Sequence, residues 1–378
     1  MYPSPSPPSI NNFDLIRLLA AIQVLIGHSF LIAFFPHNLI YDIIWFIPGV
    51  PVFFGMSGFL LLWSFERRPD ILSYMKNRFL RLYPALWATM FLTLVILLVF
   101  HTLSIHSLAD PSLLMYLIGR CSFLFYFVPA VVKKFAQGNP NGSLWTIGVE
   151  LQFYFFLPLI AWLIKKQPLG AKNLFLISIA CISWWIDRHD PQPPFDVKDM
   201  NGYLQILVSE FRILYYLFFF IIGMLFYLNY RWLKKFLEGR FVEWFVLYVL
   251  ISVLSWLFTD IAKVDPYAPD PLSLLRHIFL MWLAFAAALS NPGLAGKLLK
   301  GNDYSYGIYL NHFLMLNTFY HLNKFSGPVN FALASLCTFI LSWISWHGIE
   351  KRALRLKKHS LRNMLRKTQA FSIQKTSV

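Results

Sequence analysis

The sequence predicts an all-α integral membrane protein with about ten transmembrane helices and cytoplasmic N- and C-termini. Of its 378 residues, 57% are hydrophobic and only 13% are charged, and the mean hydropathy is +0.55. Soluble proteins of this length are far less apolar. Apolar windows long enough to cross a bilayer recur along the chain, separated by Pro, Gly and charged clusters. The composition therefore indicates a polytopic membrane protein.

The apolar windows predict the individual transmembrane helices. Nine clear windows cover residues 14–35, 43–65, 83–103, 143–164, 204–228, 243–260, 273–290, 304–322 and 328–349. A tenth window, residues 174–187, is short for a transmembrane helix, which needs about 20 apolar residues.

Lysine and arginine are distributed asymmetrically between the predicted loops. With ten spans and a cytoplasmic N-terminus, the inner segments hold 23 of these residues and the outer segments hold seven. Residues 113–132 are also apolar, but an eleventh span there would place the basic C-terminal segment outside, against the positive-inside rule. We therefore expect a re-entrant or interfacial segment. Orientation and attraction to membrane lipids explain the net charge of +15, so nucleic acid is not an expected partner.

The two ends of the chain and its cysteines carry no recognisable chemistry. Residues 1–12 are rich in Pro and Ser and are expected to form a disordered cytoplasmic leader, whereas residues 351–378 are expected to form a basic cytoplasmic tail. Cys121, Cys181 and Cys337 lie in apolar surroundings without paired spacing, which argues against a disulfide framework or a metal site.

The first apolar segment carries polar residues where they are costly. Asp14, Arg17 and His28 lie within or at the mouth of this helix. Eleven helical steps return Arg17 and His28 to one face, about 16 Å apart along the axis. This polar stripe indicates a working site in the membrane. The ordinary alternative is an arginine that snorkels to lipid headgroups and a histidine satisfied within the core.

A basic loop with the sequence KNRFLRLYPALW joins the second and third spans. Arg78 and Arg81 are three residues apart and therefore share a helical face. One hypothesis is a loop that serves only the positive-inside rule. The other is an anion clamp, because paired guanidinium groups suit the phosphates of a cytosolic nucleotide-containing donor.

Two later spans also place titratable groups in apolar surroundings. Glu150 lies about 10 Å beyond Ser143 in the fourth span, with Tyr154 one turn further on the same face. Either an arginine from another helix pairs with Glu150, or the carboxylate has a chemical role. Asn311 and His312 lie about 12 Å into the ninth span. Histidine is the side chain whose ordinary pKa suits proton transfer near neutral pH.

Five sequence blocks follow one another in an order and spacing that is specific as a set. The blocks are FDLIRLLAAIQVLIGH, PVFFGMSGFLL, NRFLRLYPALW, GSLWTIGVELQFYFFLPLI and YSYGIYLNH. Together they resemble the bacterial inner-membrane acyltransferase family three, which includes O-antigen and other cell-surface polysaccharide O-acetyltransferases. The resemblance implies a membrane acyltransferase domain of ten helices, here residues 13–350, in the bacterial inner membrane.

The resemblance also implies an activity and roles for individual residues. An acyl group, expected to be acetyl, would pass from acetyl-CoA to a hydroxyl of a carbohydrate or lipid-linked glycan. Arg78 and Arg81 would hold the CoA phosphates, and Arg17 would help to bind the donor or would position His28. His28 would be the principal catalytic residue, as a general base or as a transient acyl carrier.

Glu150 and His312 match further motif positions of the family, and acceptor binding, proton relay and helix pairing are all open for them. No permanently bound cofactor or metal is expected. Many relatives carry a soluble hydrolase-like domain after the last helix. The 29 residues from 350 to 378 leave no room for one, so any second transferase is expected on a separate polypeptide.

The competing hypothesis is a secondary transporter or an acyl-group exporter that transfers nothing covalently. The ordered set of blocks argues against it, as does the lack of recognisable internal repeats in the sequence. The identity of the acceptor, the membrane side on which it is modified, and acetyl versus fatty or succinyl groups remain open.

Overall fold

The computed structural model describes residues 12–32, 34–36, 39–122, 125, 127–189, 213–258, 271–323 and 327–356. The predicted leader and tail lie almost entirely outside these ranges, as does the beginning of the predicted 204–228 span. Within the described ranges all regular secondary structure is helical, which confirms the predicted all-α class.

The described residues contain fifteen α-helices, which we number in chain order. They are α1 (Phe13–Leu31), α2 (Leu39–Phe46), α3 (Gly49–Arg67), α4 (Ile71–Val99), α5 (Pro111–Arg120), α6 (Ala130–Lys133), α7 (Trp145–Ile164), α8 (Leu169–His189), α9 (Ile213–Leu228), α10 (Tyr230–Leu237), α11 (Phe241–Phe258), α12 (Pro271–Leu289), α13 (Leu294–Leu299), α14 (Ser305–Asn323) and α15 (Pro328–Ser345). A π-helical turn, Trp346–Glu350, follows α15, and short 3-10 turns occupy Ile105–Ala109 and Gly142–Leu144.

Each of the ten predicted spans overlaps a helix. Eight helical stretches among the described residues are long and apolar enough to cross a bilayer, and the pair α9 and α10, bent by 95°, forms a ninth candidate. Helix α14 has 19 residues but carries several polar side chains. The window 174–187 underestimated its helix, because α8 has 21 residues and its polar ends extend beyond the apolar stretch.

The described residues between 113 and 132 form no long helix. Helix α5 has ten residues and α6 has four, both far short of the roughly 20 that a span requires. Asp110 caps the start of α5 by accepting a hydrogen bond of 2.8 Å from the backbone N–H of Ser112. The structure therefore agrees with a segment that does not span, whereas the membrane side of each terminus stays a prediction.

Helix α3 packs against α1, α7, α9 and α12, and glycines bring it closest to α9. A Cβ atom at Gly58 would lie 1.9 Å from the backbone oxygen of Phe220, and one at Gly223 would lie 1.9 Å from the backbone oxygen of Gly55. Small residues allow helix backbones to touch in this way. The contact fixes the position of α3, which forms one wall of the site described below.

We expect Gly223→Ala to destabilise the protein, because the added methyl group forces α3 and α9 apart. Overpacking of this kind costs about 1–3 kcal/mol, although alanine is intrinsically the better helix former. The thermal unfolding midpoint of the detergent-solubilised protein measures the effect. Gly170→Ala on α8 is the control, since nothing lies within 4 Å of a Cβ atom there. Equal midpoints for the two variants would contradict the close contact.

Candidate active site

A cavity of about 100 Å³ lies at the end of the helix bundle where α1, α4 and α14 begin. Arg17, Arg78, Arg81 and Glu150 all line it, so four of the six predicted site residues converge on one space. The rest of the lining comes from α3, α7, α14 and Leu82 of α4, and it is largely aromatic or aliphatic. The cavity is partly open and has room for several water molecules.

The start of α4 explains why both of its arginines face this cavity. Asp70 accepts a hydrogen bond of 3.0 Å from the backbone N–H of Ser73 and thereby caps the first turn. Arg78 and Arg81 follow three residues apart, so both side chains project from the same helical face. The capped helix therefore delivers two guanidinium groups side by side.

Asp303, which none of the sequence blocks contains, organises two of the arginines. Its carboxylate lies 2.5 Å from Nη2 of Arg81 and 3.5 Å from Nη2 of Arg17. The hydroxyl of Ser305 donates to it at 2.5 Å and the backbone N–H of Ser305 at 3.2 Å. Asp303 thus ties α1, α4 and the first turn of α14 together. The available sequence signal was its place just before a helix start, where Asp is a typical cap.

The charge state of Asp303 follows from its surroundings. Burial raises the pKa of this carboxyl, but the charges of Arg81 and Arg17 and the hydrogen bonds from Ser305 and Arg81 outweigh burial and hold the pKa well below its usual range. The side chain is 10% exposed. Asp303 is therefore a firmly ionised counter-ion between two arginines.

Arg81 has a second carboxylate partner. Its Nη1 lies 3.8 Å from Oε2 of Glu350, in the π-helical turn that follows α15. Glu350 is buried and accepts a hydrogen bond of 2.8 Å from the hydroxyl of Ser345. Two carboxyl groups, of Asp303 and Glu350, thus lie within ion-pair distance of Arg81 and hold its guanidinium in place.

Arg78 differs from Arg81 in its carboxylate partners. Within the part of the chain that the structure describes, Arg78 forms no ion pair, and its Nε has no hydrogen-bond partner. Its guanidinium lies 5.8 Å from the ring centre of Tyr74 and 5.9 Å from that of Tyr154. Contacts with aromatic rings orient a cation without neutralising it. Arg78 is therefore the arginine with the most charge to offer an anion in the cavity.

Glu150 lines the cavity together with the three arginines but does not contact them directly. Tyr154, one turn further along α7, donates a hydrogen bond of 2.5 Å to its carboxylate. Among the described residues, no cation lies within ion-pair distance of Glu150. A direct structural pairing with an arginine, one of the two sequence hypotheses, is thus not observed in this part of the chain.

His28 and His312 form a separate pair beyond the cavity. Nδ1 of His28 lies 2.8 Å from Nε2 of His312, and the stacked rings have centroids 5.0 Å apart. The edges of Trp45 and Phe313 face the His28 ring at 6.5 and 5.1 Å. The structure therefore divides the predicted site residues into an arginine–carboxylate group and a histidine pair.

The hydrogen bonds of His312 determine which nitrogen of His28 is free. Nδ1 of His312 lies 2.8 Å from the backbone oxygen of Tyr309, and because a carbonyl only accepts, this nitrogen carries the proton. In neutral His312, Nε2 then accepts the proton that His28 carries on Nδ1. Nε2 of His28 is left with a free lone pair. The pair thus presents one nitrogen that can act as a base or a nucleophile.

A family model described as an acyltransferase domain matches residues 10–347. The chain belongs to this acyltransferase family. The acyltransferase is 28% identical over 373 residues to nodulation protein 10 of Rhizobium leguminosarum bv. viciae, covering 92% of this chain and 94% of that relative. It is 23% identical over 363 residues to an O-acetyl transferase of Shigella phage Sf6, covering 91% and 96%.

Further similarity is to part of a longer relative. Over 177 residues the acyltransferase is 25% identical to the peptidoglycan O-acetyltransferase OatA of Listeria monocytogenes serovar 1/2a, covering 45% of this chain and 27% of that relative. No solved structure shows significant similarity to the acyltransferase. Family membership confirms the resemblance found in the sequence, and with the long apolar helices it establishes a membrane acyltransferase.

We expect Asp303→Asn to lower the thermal midpoint at pH 7, because removing one partner of a buried ion pair costs about 3–5 kcal/mol. The pKa of Asp303 is lowered in the folded protein, so its contribution is present at neutral pH and is lost as the pH falls below about 4. The difference in thermal midpoint between Asp303→Asn and the wild type should therefore become smaller at acidic pH, measured on detergent-solubilised protein.

The control for this measurement is Glu238→Gln, which removes the exposed pair that Glu238 forms with Lys234 at 3.4 Å. An exposed pair contributes about 0–1 kcal/mol, so this variant should unfold almost as the wild type does. The central role of Asp303 would be contradicted if Asp303→Asn lowered the thermal midpoint no more than Glu238→Gln does. A decrease in midpoint that does not change with pH would contradict it as well.

Proposed function

We propose that this membrane acyltransferase transfers an acetyl group from acetyl-CoA to a hydroxyl of a carbohydrate or lipid-linked glycan at the bacterial inner membrane. The observation that carries the proposal is a cavity lined by three arginines beside a histidine pair with one free basic nitrogen. Acyl transfer from a CoA thioester needs a site for an anionic donor and a base for the acceptor hydroxyl. The arginines would supply the site for the anionic donor, and the histidine pair would supply the base.

The named relatives support the acetyl group and the hydroxyl acceptor. The phage protein is named an O-acetyl transferase, and the Listeria protein is named a peptidoglycan O-acetyltransferase, whose acceptor is a glycan polymer. The predicted excess of Lys and Arg on the inner side would turn the arginine cavity towards the cytoplasm, which is the compartment that holds CoA. Family membership also favours covalent transfer over the transporter hypothesis.

On the donor side, we assign the first phosphate contact to Arg78, since it forms no ion pair with a described carboxylate. Arg17 and Arg81 add positive potential, and Asp303 holds both in place. Guanidinium groups bind phosphate through geometrically specific paired hydrogen bonds. A cavity of about 100 Å³ is smaller than pockets that enclose whole drug-sized ligands. The nucleotide would therefore lie at the open end, and only the acyl-bearing arm would enter.

On the acceptor side, we assign His28 as the general base. Its Nε2 takes the proton of the acceptor hydroxyl as that oxygen attacks the thioester carbonyl, and CoA leaves as the thiolate. The hydrogen bond from Nδ1 of His28 to His312 keeps the ring in the required tautomer, and the bond from His312 to the Tyr309 carbonyl keeps His312 in turn. General-base catalysis of this kind contributes about 10²–10⁴-fold to the rate.

We expect His28→Gln to lower kcat by about 10²–10⁴-fold while the KM for acetyl-CoA changes little, because the base is lost and the donor cavity is not. Purified protein in nanodiscs, labelled acetyl-CoA and a bacterial glycolipid extract as acceptor provide the assay. His106→Gln, at an exposed histidine, is the matched control. A fully active His28→Gln protein would remove His28 from the mechanism.

The same assay without acceptor separates the two roles open to His28. A general base leaves no label on the protein. Acid-labile label that stays on the wild type and is lost in His28→Gln would instead make Nε2 the acyl carrier.

We expect Arg78→Lys to raise the KM for acetyl-CoA by about tenfold, because lysine keeps the charge but loses the paired guanidinium contacts. Lys76→Ala, two residues before Arg78 on α4 but outside the cavity, should leave the KM unchanged. If Arg78 serves only the positive-inside rule, lysine replaces it silently. Wild-type kinetics for Arg78→Lys would thus exclude Arg78 from the donor site.

A further inference from the structure

Two aromatic rings line the part of the cavity that is nearest the histidine pair. Phe53 on α3 and Tyr309 on α14 both line the cavity, and their rings meet edge to face with centroids 5.6 Å apart. Phe53 lies seven residues before Leu60 on α3, about 10 Å deeper into the bundle. The ring pair therefore forms, with Val50, the inner wall of the proposed donor cavity.

The histidine pair lies directly behind this wall. The ring of Tyr309 is 5.5 Å from that of His312, and its backbone carbonyl fixes the His312 tautomer. Phe53 also packs into a small apolar cluster with Leu25 and Ile308, residues one turn before His28 and His312 respectively. A thioester entering from the arginine end therefore meets these rings before it reaches His28.

The two rings are held differently. Tyr309 accepts a hydrogen bond of 2.7 Å from the hydroxyl of Thr146 and donates one of 3.2 Å to the backbone oxygen of Ser143. The side chain of Phe53 has no polar atom and only half-buried packing. Tyr309 is thus the fixed part of the wall, and Phe53 is the part that can yield.

The geometry points to the Phe53–Tyr309 pair as the element that sets the length of the acyl group. This inference rests on the proposed acyl-CoA donor. A thioester carbonyl within reach of an acceptor at His28 places the acyl chain against the Phe53 ring. On this inference, a two-carbon acyl group is accommodated beside the Phe53 ring, and a longer chain has to displace that ring. Such steric discrimination amounts to about 10–200-fold per methylene.

The test compares acetyl-CoA with butyryl-CoA in wild-type, Phe53→Ala and Phe53→Leu proteins in nanodiscs. Release of the CoA thiol in the presence of a bacterial glycolipid extract gives kcat/KM for each donor. We expect the butyryl to acetyl ratio to rise at least tenfold in Phe53→Ala and to a smaller extent in Phe53→Leu. Phe279→Ala is the matched control, since Phe279 on α12 is also half-buried but lies outside the cavity.

A second comparison separates an effect of the Phe53 ring itself from a general effect of cavity volume. Leu60→Ala widens the same cavity near its arginine end, so it should alter acetyl and butyryl transfer alike and leave their ratio unchanged. An unchanged ratio in both Phe53 variants, or an equal rise in Leu60→Ala or Phe279→Ala, would overturn the inference. If the inference fails in this way but the wild-type protein uses acetyl-CoA, the proposed function is still supported. A wild type that uses neither donor overturns both.

Discussion

The bundle depends on the ion pairs that Asp303 makes with arginines from two other helices. Guanidinium groups gathered in an apolar protein repel one another and lose hydration, so anions placed beside them stabilise the folded protein. Asp303 binds Arg17 and Arg81 at the start of α14. Arg78 remains outside this arrangement and keeps its charge available. The Asp303 carboxylate thus stabilises the junction of the three helices. It pairs with Arg81 and not with Arg78, so these two arginines of α4 differ in the charge that they offer to the cavity.

The site separates charge from chemistry. The arginines and Glu150 surround a partly open cavity, whereas His312 is fully buried and the rings of Trp45 and Phe313 flank a partly buried His28. If His28 is the base, as proposed, these rings would limit competing water and so favour transfer to an acceptor hydroxyl over hydrolysis. Phosphate recognition, by contrast, tolerates water. Because the arginine-lined cavity and the histidine pair are separate, the cavity can be hydrated while the histidines lie among aromatic rings.

The sequence predicted what depends on local periodicity and composition. The helices, and the absence of a span in residues 113–132, follow from apolar windows and charge. The shared face of Arg17 and His28 follows from helical geometry alone. The contact between His28 and His312 could not be predicted from spacing, because 284 positions separate the two residues and only tertiary packing joins them. Asp303 was missed for a similar reason, since in the sequence it reads as an ordinary loop residue before a helix.

The glycine contact between α3 and α9 has a consequence for the rate at which the inner wall can open. Gly55 lies two residues after Phe53, and its backbone is already in contact with α9 at Gly223. A shift of α3 as a rigid body would have to break that contact, and such helix movements occur in microseconds to milliseconds. Rotation of one phenyl ring needs no backbone movement and is much faster. If the rings act as the inferred wall, passage past them would therefore be a side-chain event, faster than any movement of α3.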